Sequence, residues 1–400
     1  MTILVADALS KSGLNQMRDA GHRVDVRPEL SGASLIAALE EVNPGVLIVR
    51  STKVPDEALA AAADLQLVVR AGAGFDTIDV TGASSRGIFV ANCPGKNAVA
   101  VAELAMGLIL SVDRRIPDNV ADARRGEWAK AAYSKADGLK GKTLALIGLG
   151  NIGKAVLRRA KAFGIHVVAW SRSLTPEAAR KLGVEYRATI AEAIADADIV
   201  SLHVAATPDT KHLANRAFFE ALKPGATFIN TTRSSVVDED ALLWALDERG
   251  LKAGLDVFSE EPSGKSGPFE SRVAAHPSVY VTHHIGASTA QAQESIAQEG
   301  VRVVLRFAET GEVSNCVNMA EKSEATHQLT VRHLDHVGVL AAVLDEIRAA
   351  GWNVQEMENL LFAGGGAACA YIRFQGTPDE EVLDRLSRHP DILAISLVGL

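Results

Sequence analysis

Thr143-Leu144-Ala145-Leu146-Ile147-Gly148-Leu149-Gly150-Asn151-Ile152-Gly153 decides the fold. An apolar run with strand character ends at Gly148, and a helical pattern begins at Asn151 and runs through Phe163. Between them lies Gly-x-Gly-x-x-Gly, a spacing with a physical reason at each glycine. Gly148 permits the tight turn, Gly150 lets the backbone approach a pyrophosphate, and Gly153 lets helix and strand pack closely. The phosphates would rest on the helix N-terminus and its partial positive charge. Alone the motif is a weak signal. A strand before it, a helix after it and a second strand at 165–170 strengthen the reading, so Gly148, Gly150, Asn151, Ile152 and Gly153 are expected to hold NAD or NADP.

Working outward, short β-rich runs alternate with helical stretches in both directions. Downstream, strands are expected at 198–204, 226–230, 253–258 and 279–282, with helices near 215–222 and 238–249. Upstream, strands at 3–6, 22–27, 46–50, 67–70 and 89–91 alternate with helices near 12–20, 33–41, 55–63 and 77–86. This is the pattern of two doubly wound, Rossmann-like α/β units with parallel sheets. The stretch 98–112 is almost wholly apolar, which predicts a helix buried between units or at a subunit contact. A polar helix follows at 114–128. A long helix at 288–310 can return the chain to the first unit. The expected domains are therefore a discontinuous substrate-binding domain, 1–97 with 288–318, and a cofactor-binding domain, 98–287. After a polar linker at 311–325 the tail starts afresh as β-α-β-β-α-β, the ferredoxin-like order, giving a third domain at 326–400.

Composition narrows the function classes. The chain has 400 residues, 48% apolar and 22% charged, with a net charge of −8. Those values suit a soluble globular protein. Both signs of charge are spread along the chain and there is no basic cluster, so no nucleic-acid partner is expected. The first residues lack a basic region and read as a strand, not a signal peptide. The most apolar stretch carries Glu103 and is too short to span a bilayer, so no membrane partner is expected. Cys93, Cys316 and Cys369 lie far apart without metal-ligand spacing. No metal is expected, and the usage fits a reducing cytoplasm.

Five stretches fall in an informative order: Arg70-Ala71-Gly72-Ala73-Gly74-Phe75-Asp76, the glycine fingerprint, Asn230-Thr231-Thr232-Arg233-Ser234-Ser235-Val236-Val237-Asp238-Glu239, Leu255-Asp256-Val257-Phe258-Ser259-Glu260-Glu261-Pro262 and His284-Ile285-Gly286-Ala287-Ser288-Thr289. Together, over about residues 1 to 318, they resemble the D-isomer-specific 2-hydroxyacid dehydrogenases. The tail resembles an ACT regulatory domain.

The resemblance implies an enzyme in which a C2 hydroxyl gives its proton to a base while a hydride moves to a nicotinamide ring. It assigns His284 as the base, Glu261 as the carboxylate that orients it, and Arg233 as the cation for a substrate carboxylate and developing carbonyl. Periodicity does not separate His284 from His283, or Glu261 from Glu260; only the motif register does. The family usually shows Ala-Arg-Gly where this chain has Thr232-Arg233-Ser234, a change expected to affect loop geometry slightly. By the same resemblance Val204, Thr231, Thr232, Asp256 and Gly286 line the cofactor cleft, Asp256 at the carboxamide edge of the nicotinamide.

Two choices depend on departures from the family pattern. Members that prefer NAD carry an acidic residue after the second strand of the cofactor unit; this chain has Ser171 there, followed by Arg172. A 2′-phosphate could hydrogen-bond the serine and pair with the arginine, so NADP competence is expected beside NAD. Near the substrate, Arg50, Ser51, Lys53 and Arg70 offer cations and a hydroxyl to a phosphate, and Ala71, Gly72, Ala73 and Gly74 offer backbone N–H groups to a carboxylate. The implied reaction is oxidation of D-3-phosphoglycerate to 3-phosphohydroxypyruvate in serine synthesis. Competing readings are an NADPH-dependent hydroxypyruvate or glyoxylate reductase, and a cofactor-sensing scaffold of the corepressor kind. In the tail, His333-Leu334-Asp335-His336-Val337-Gly338 and Asn353 match the region where related ACT domains bind serine, but Asp335 and His336-Val337 replace the usual asparagine and Arg-Pro. An amino-acid effector therefore stays open beside a tail that dimerises or spaces subunits. A homodimer or homotetramer is expected.

Overall fold

The computed structural model describes residues 1–262, 266–320 and 322–400. It divides into two compact units, Met1–Asn318 and Met319–Leu400. The first unit holds two parallel sheets. One contains β1 (Thr2–Val5), β2 (Arg23–Val26), β3 (Val46–Val49), β4 (Leu67–Arg70) and β5 (Phe89–Ala91) in the order β2-β1-β3-β4-β5. The other contains β6 (Thr143–Ile147), β7 (His166–Trp170), β8 (Glu185–Tyr186), β9 (Ile199–Leu202), β10 (Thr227–Asn230), β11 (Lys252–Leu255) and β12 (Val279–Val281) in the order β12-β11-β10-β9-β6-β7-β8. Every strand pair in both sheets is parallel.

The central strands are unbroken apolar runs because both their faces are covered. In the first sheet, Leu35, Leu39 and Leu59 pack on one face. Met17 and Ile296, Val301, Val304 and Phe307 of the helix Ala290–Thr310 pack on the other. In the second sheet, the helices Ala98–Arg114 and Asn151–Ala162 cover one face. On the opposite face Phe218, Phe219 and Phe228 meet edge to face, with centroids 5.1 to 6.1 Å apart. Phe219 and Phe228 are fully buried, each worth about 1.5–3 kcal/mol relative to exposure. This packing aims the carboxyl ends of both sheets' strands into loops, and nearly every candidate residue lies on one of those loops.

The sequence reading needs correction at several elements. The helix Ala98–Arg114 is buried along most of its length but leaves Val99, Glu103 and Gly107 exposed along one stripe. The helix expected at 114–128 is interrupted at Arg115, which adopts a left-handed conformation with φ of 50°, and a new helix runs Ile116–Arg124. Pro117 explains the break: it has no N–H to give the preceding helix, but it fits the first turn of a new one. The interval after β7 also contains the helices Pro176–Leu182 and Ile190–Ile194 and the two-residue β8, all too short to declare a period.

The second unit orders β13 (His327–Leu334), the helix Val339–Ala349, β14 (Asn353–Leu361), β15 (Ala367–Gln375), the helix Glu380–Ser387 and β16 (Ile392–Gly399). Its sheet is antiparallel, in the order β14-β15-β13-β16. Leu329, Val331, Ile372 and Phe374 form its core with Val343, Ile347, Val382 and Leu386 of the helices. Trp352 stacks on Phe374 at 4.4 Å. Among the described residues, no helix is long and apolar enough to cross a membrane.

Candidate active site

The three fingerprint glycines have different neighbours. Gly148 has a φ of +100°, and a Cβ there would stand 2.5 Å from the His203 carbonyl oxygen. A Cβ on Gly153 would stand 2.2 Å from the Gly148 carbonyl oxygen. Both are required by the packing of turn, helix and strand. Gly150 is different, since a Cβ there would meet nothing within 4 Å. It caps the helix Asn151–Ala162 without any side-chain cap, and the first turn carries no acidic residue. That leaves an open, uncapped helix N-terminus, the surroundings an anionic pyrophosphate needs. Beside it, Asn151 approaches Gly95, whose Cβ would stand 2.7 Å from the Asn151 Nδ2.

The neighbouring strand ends add buried polar atoms that have no partner among the described residues: Thr231 Oγ1 and His203 Nδ1. The other His203 nitrogen, Nε2, lies 2.9 Å from Ser201 Oγ, and burial pushes the imidazole pKa down to about 4. Val204 follows, half-buried. After β7, Ser171 is half-buried and Arg172 exposed. An open glycine turn, orphaned polar atoms and small side chains fit a dinucleotide.

Three adjacent strand ends are tied together by backbone hydrogen bonds. The Asp256 N–H donates to the Asn230 carbonyl at 3.0 Å, and the His284 N–H donates to the Asp256 carbonyl at 2.8 Å. Residues after β10, β11 and β12 are thereby brought side by side. Asp256 is 1% exposed. Its Oδ1 accepts from the Thr282 hydroxyl at 2.6 Å and the Ile285 N–H at 2.8 Å, and its Oδ2 accepts from the Gly286 N–H at 2.9 Å. Most of its accepting capacity thus serves the loop that carries His284. That loop is sharply bent, with His284 at a φ of 51°.

His284 Nδ1 lies 2.7 Å from Glu261 Oε2, and Glu261 Oε1 accepts the Phe258 N–H at 2.9 Å. The carboxylate is anchored at one oxygen and grips the imidazole with the other. Neither His283 nor Glu260 makes a side-chain hydrogen bond or ion pair among the described residues, and both are exposed. In a neutral imidazole, a carboxylate at Nδ1 favours the tautomer whose proton is on Nδ1 and whose acceptor is Nε2.

Arg233 stands on the turn after β10. Asn230, 1% exposed, braces that turn: its Oδ1 accepts from the Thr232 N–H at 3.0 Å and the Thr232 hydroxyl at 2.6 Å, and its Nδ2 donates to the Arg233 carbonyl at 3.1 Å. The Arg233 guanidinium donates to the Thr232 carbonyl at 2.9 Å and to Asp76 through Nε and Nη2 at 3.4 and 3.2 Å. Arg70 lies close by. Its side chain makes no hydrogen bond among the described residues, and its buried Nε has no partner. Burial and the charges of Arg233 and Arg50 lower its pKa, opposed by Asp76. A half-buried guanidinium whose buried Nε has no partner is costly to hold unless an anion joins it.

The loop glycines make room for these guanidinium groups. A Cβ on Gly72 would overlap Arg70 Nη1 at 1.5 Å, and one on Gly74 would stand 2.3 Å from Arg233 Nη2. Of the four amides expected to bind an anion, the Ala71 N–H is taken by the Val49 carbonyl and the Gly72 N–H by the Arg70 carbonyl. Ala73 and Gly74 retain theirs among the described residues. Ser51 is also occupied: its hydroxyl and N–H both donate to Asp7, which accepts the Arg50 and Thr52 N–H groups as well. Burial raises the Asp7 pKa, but these backbone donors outweigh it and hold the group below the usual carboxylate range. The Arg50 side chain has no partner among the described residues.

Asp7, Asp76 and Asn230 hydrogen-bond candidate residues, and none was itself a candidate read from the sequence. Their signal is tertiary, except that Asn230 begins the turn whose arginine was noticed. Among the described residues, no group of three or more His, Cys, Asp or Glu side chains could hold a metal ion.

Residues 106–286 match a family described as D-isomer specific 2-hydroxyacid dehydrogenase, NAD binding domain. A D-3-phosphoglycerate dehydrogenase of Methanocaldococcus jannaschii is 39% identical over 323 residues, 79% of this chain and 59% of that one. A glyoxylate reductase of Thermococcus litoralis is 38% identical over 291 residues, 71% of this chain and 86% of that one. The crystal structure of the TT0316 protein from Thermus thermophilus has a TM-score of 0.71 at 34% identity, covering 79% of this chain and all of that one. The chain spans about half to two thirds of the length of the phosphoglycerate dehydrogenases it matches.

Proposed function

The chain belongs to the D-isomer-specific 2-hydroxyacid dehydrogenase family, and we propose that it interconverts a D-2-hydroxy acid and its 2-oxo acid with NAD or NADP. D-3-phosphoglycerate and 3-phosphohydroxypyruvate are the pair its cations suit best. One observation carries this reading: the 2.7 Å contact of His284 with Glu261, on a loop laterally bonded to the strand end that presents Arg233.

The nicotinamide, when bound, supplies or accepts the hydride. His284 Nε2 takes the C2 hydroxyl proton in oxidation and returns it in reduction, while Glu261 fixes the tautomer and stabilises the imidazolium. The Arg233 guanidinium binds the substrate carboxylate and offsets charge developing on the carbonyl oxygen. Arg70, with Arg50, takes the second anionic group. The Gly150 turn and the first N–H groups of its helix hold the cofactor pyrophosphate, with Thr231, Val204 and Gly286 lining the cleft. Of the expected domains, 1–97 with 288–318 supplies Arg50 and Arg70 to the substrate, and 98–287 supplies the cofactor turn together with Arg233, Glu261 and His284.

A second reading has its own support. Ser171 and Arg172 have no side-chain partners among the described residues and lack the acidic charge that would repel a 2′-phosphate. They favour NADPH, and with it reduction of glyoxylate or hydroxypyruvate. Reducing 3-phosphohydroxypyruvate, hydroxypyruvate and glyoxylate, each with NADH and with NADPH, separates the readings. His284→Ala should lower turnover by about 10²–10⁴ in whichever pair is active; a folded variant with near-normal turnover refutes the assignment. The β-α-β-β-α-β order of the tail supports an ACT-like regulatory domain, which L-serine titrated against the full chain would test. Assembly as a homodimer or homotetramer belongs to the same reading.

A further inference from the structure

Among the described residues, Asp76 is the only carboxylate that accepts a hydrogen bond from the guanidinium of Arg50, Arg70 or Arg233. It does so along one edge of a guanidinium, Oδ2 from Nε at 3.4 Å and Oδ1 from Nη2 at 3.2 Å. The remaining nitrogen, Nη1, donates to the Thr232 carbonyl at 2.9 Å. All three nitrogens of Arg233 are thus tethered, and the plane of the group is set. The pair needs space that only glycine provides, since a Cβ on Gly74 would stand 2.3 Å from Arg233 Nη2 and 2.8 Å from Asp76 Oδ1. Asp76 follows β4 of the first sheet and Arg233 follows β10 of the second, so the pair bridges the two.

Asp76 is ionised where it stands. Burial raises its pKa, but the hydrogen bond and charge of Arg233 overcome this and hold it below the usual carboxylate range. Without that charge, Arg233 would keep only its bond to the Thr232 carbonyl and would face the Arg70 cation with no carboxylate partner. Resting on the functional reading above, we infer that Asp76 is a positioning residue: it holds the Arg233 guanidinium at the angle that receives the substrate carboxylate, and it ties that angle to the approach of the two sheets' loops. An orienting group of this kind affects turnover more than cofactor binding, because a displacement of about 1 Å in a reacting array can cost about 10²-fold.

The test uses the full chain and three single variants, Asp76→Asn, Asp76→Ala and Gly74→Ala, with 3-phosphohydroxypyruvate and glyoxylate as substrates and NADH and NADPH as cofactors. Each variant should lose about 10- to 100-fold in kcat/KM, mostly in kcat, while cofactor Kd, read by tryptophan fluorescence, stays unchanged. Once Arg233→Lys is in place, adding Asp76→Asn should cost little more. The isosteric asparagine keeps the test valid if the alanine variant fails to fold. Asp76→Asn with wild-type kcat/KM, or with lowered KM at unchanged kcat, overturns the inference, the second result marking Asp76 as a competitor of substrate. A wild-type chain inactive on every 2-oxo acid overturns the functional reading and this inference together.

Discussion

Asp256 holds Gly286. The buried carboxylate takes the Gly286 N–H on one oxygen at 2.9 Å, and on the other takes the Ile285 N–H and the Thr282 hydroxyl. A Cβ on Gly286 would stand 3.1 Å from that carboxylate, so the loop passes close over it. The bent backbone of His284 is enclosed by these bonds, which is how a histidine keeps a φ of 51°. Asp256→Ala would leave two N–H groups and a hydroxyl without their acceptor. The expected cost is about 2–3 kcal/mol of stability in urea unfolding, with a fall in kcat because His284 loses its seat. A variant that keeps both wild-type stability and wild-type kcat would show that the loop stands without the clamp.

The fingerprint glycines should separate by experiment as they do in geometry. Gly148→Ala and Gly153→Ala drive a methyl against backbone atoms and should each destabilise the fold by about 2 kcal/mol or more. Gly150→Ala meets only open space at a φ of −74°. It should leave the melting temperature nearly unchanged while raising the cofactor KM about tenfold or more. Equal loss of stability in all three would refute the distinction.

His203 makes a prediction about acid. Its imidazole is neutral and buried, with the pKa lowered from 6.5 to about 4. The unfolded chain binds this proton at a higher pH than the folded one. The contribution is therefore fully present above pH 6.5 and is lost as the pH falls toward 4. At about 1.36 kcal/mol per unit, the loss approaches about 3 kcal/mol. His203→Gln, compared with wild type by urea unfolding from pH 7.5 down to 4.5, should flatten the stability profile. Parallel profiles would show that the folded imidazole takes up its proton at the same pH as the unfolded one.

Cofactor choice should turn on one position. Ser171→Asp puts a carboxylate at the end of β7, where it can accept from a ribose 2′-hydroxyl and would repel a 2′-phosphate. The ratio of kcat/KM for NADPH to that for NADH should fall by about tenfold or more, a difference of about 1.4 kcal/mol. An unchanged ratio would place the 2′ group elsewhere.

What the sequence disclosed follows the range of the forces involved. Apolar runs such as Val46–Val49 and Thr143–Ile147 announce buried parallel strands because burial acts on every residue of the run. Gly148 and Gly153 are legible because sterics within a short stretch of chain demand them. The two-residue β8 carries too few side chains to show a period, and Pro117 breaks a helix that a polar pattern alone would continue. In the site, only motif register singled out Glu261 and His284 from their neighbours. The structure gives each of them a partner, and among the described residues it leaves Glu260 and His283 without one. Asp76 lies 157 positions from Arg233, and Asp7 lies 43 from Arg50. Nothing local marks either aspartate as a clamp, since its partner is brought near only by the finished fold.

The loop that carries His284 has two attachments. On one side it leaves β12 and is clamped by Asp256, within the second sheet. On the other it leads into the helix Ala290–Thr310, whose Ile296, Val301, Val304 and Phe307 pack against the first sheet. His284 therefore sits on the stretch of chain that joins the two sheets, not within either one. Under the function proposed above, a substitution at either attachment reaches the imidazole without touching it: one side through the Asp256 bonds, the other through the helix packed on the first sheet.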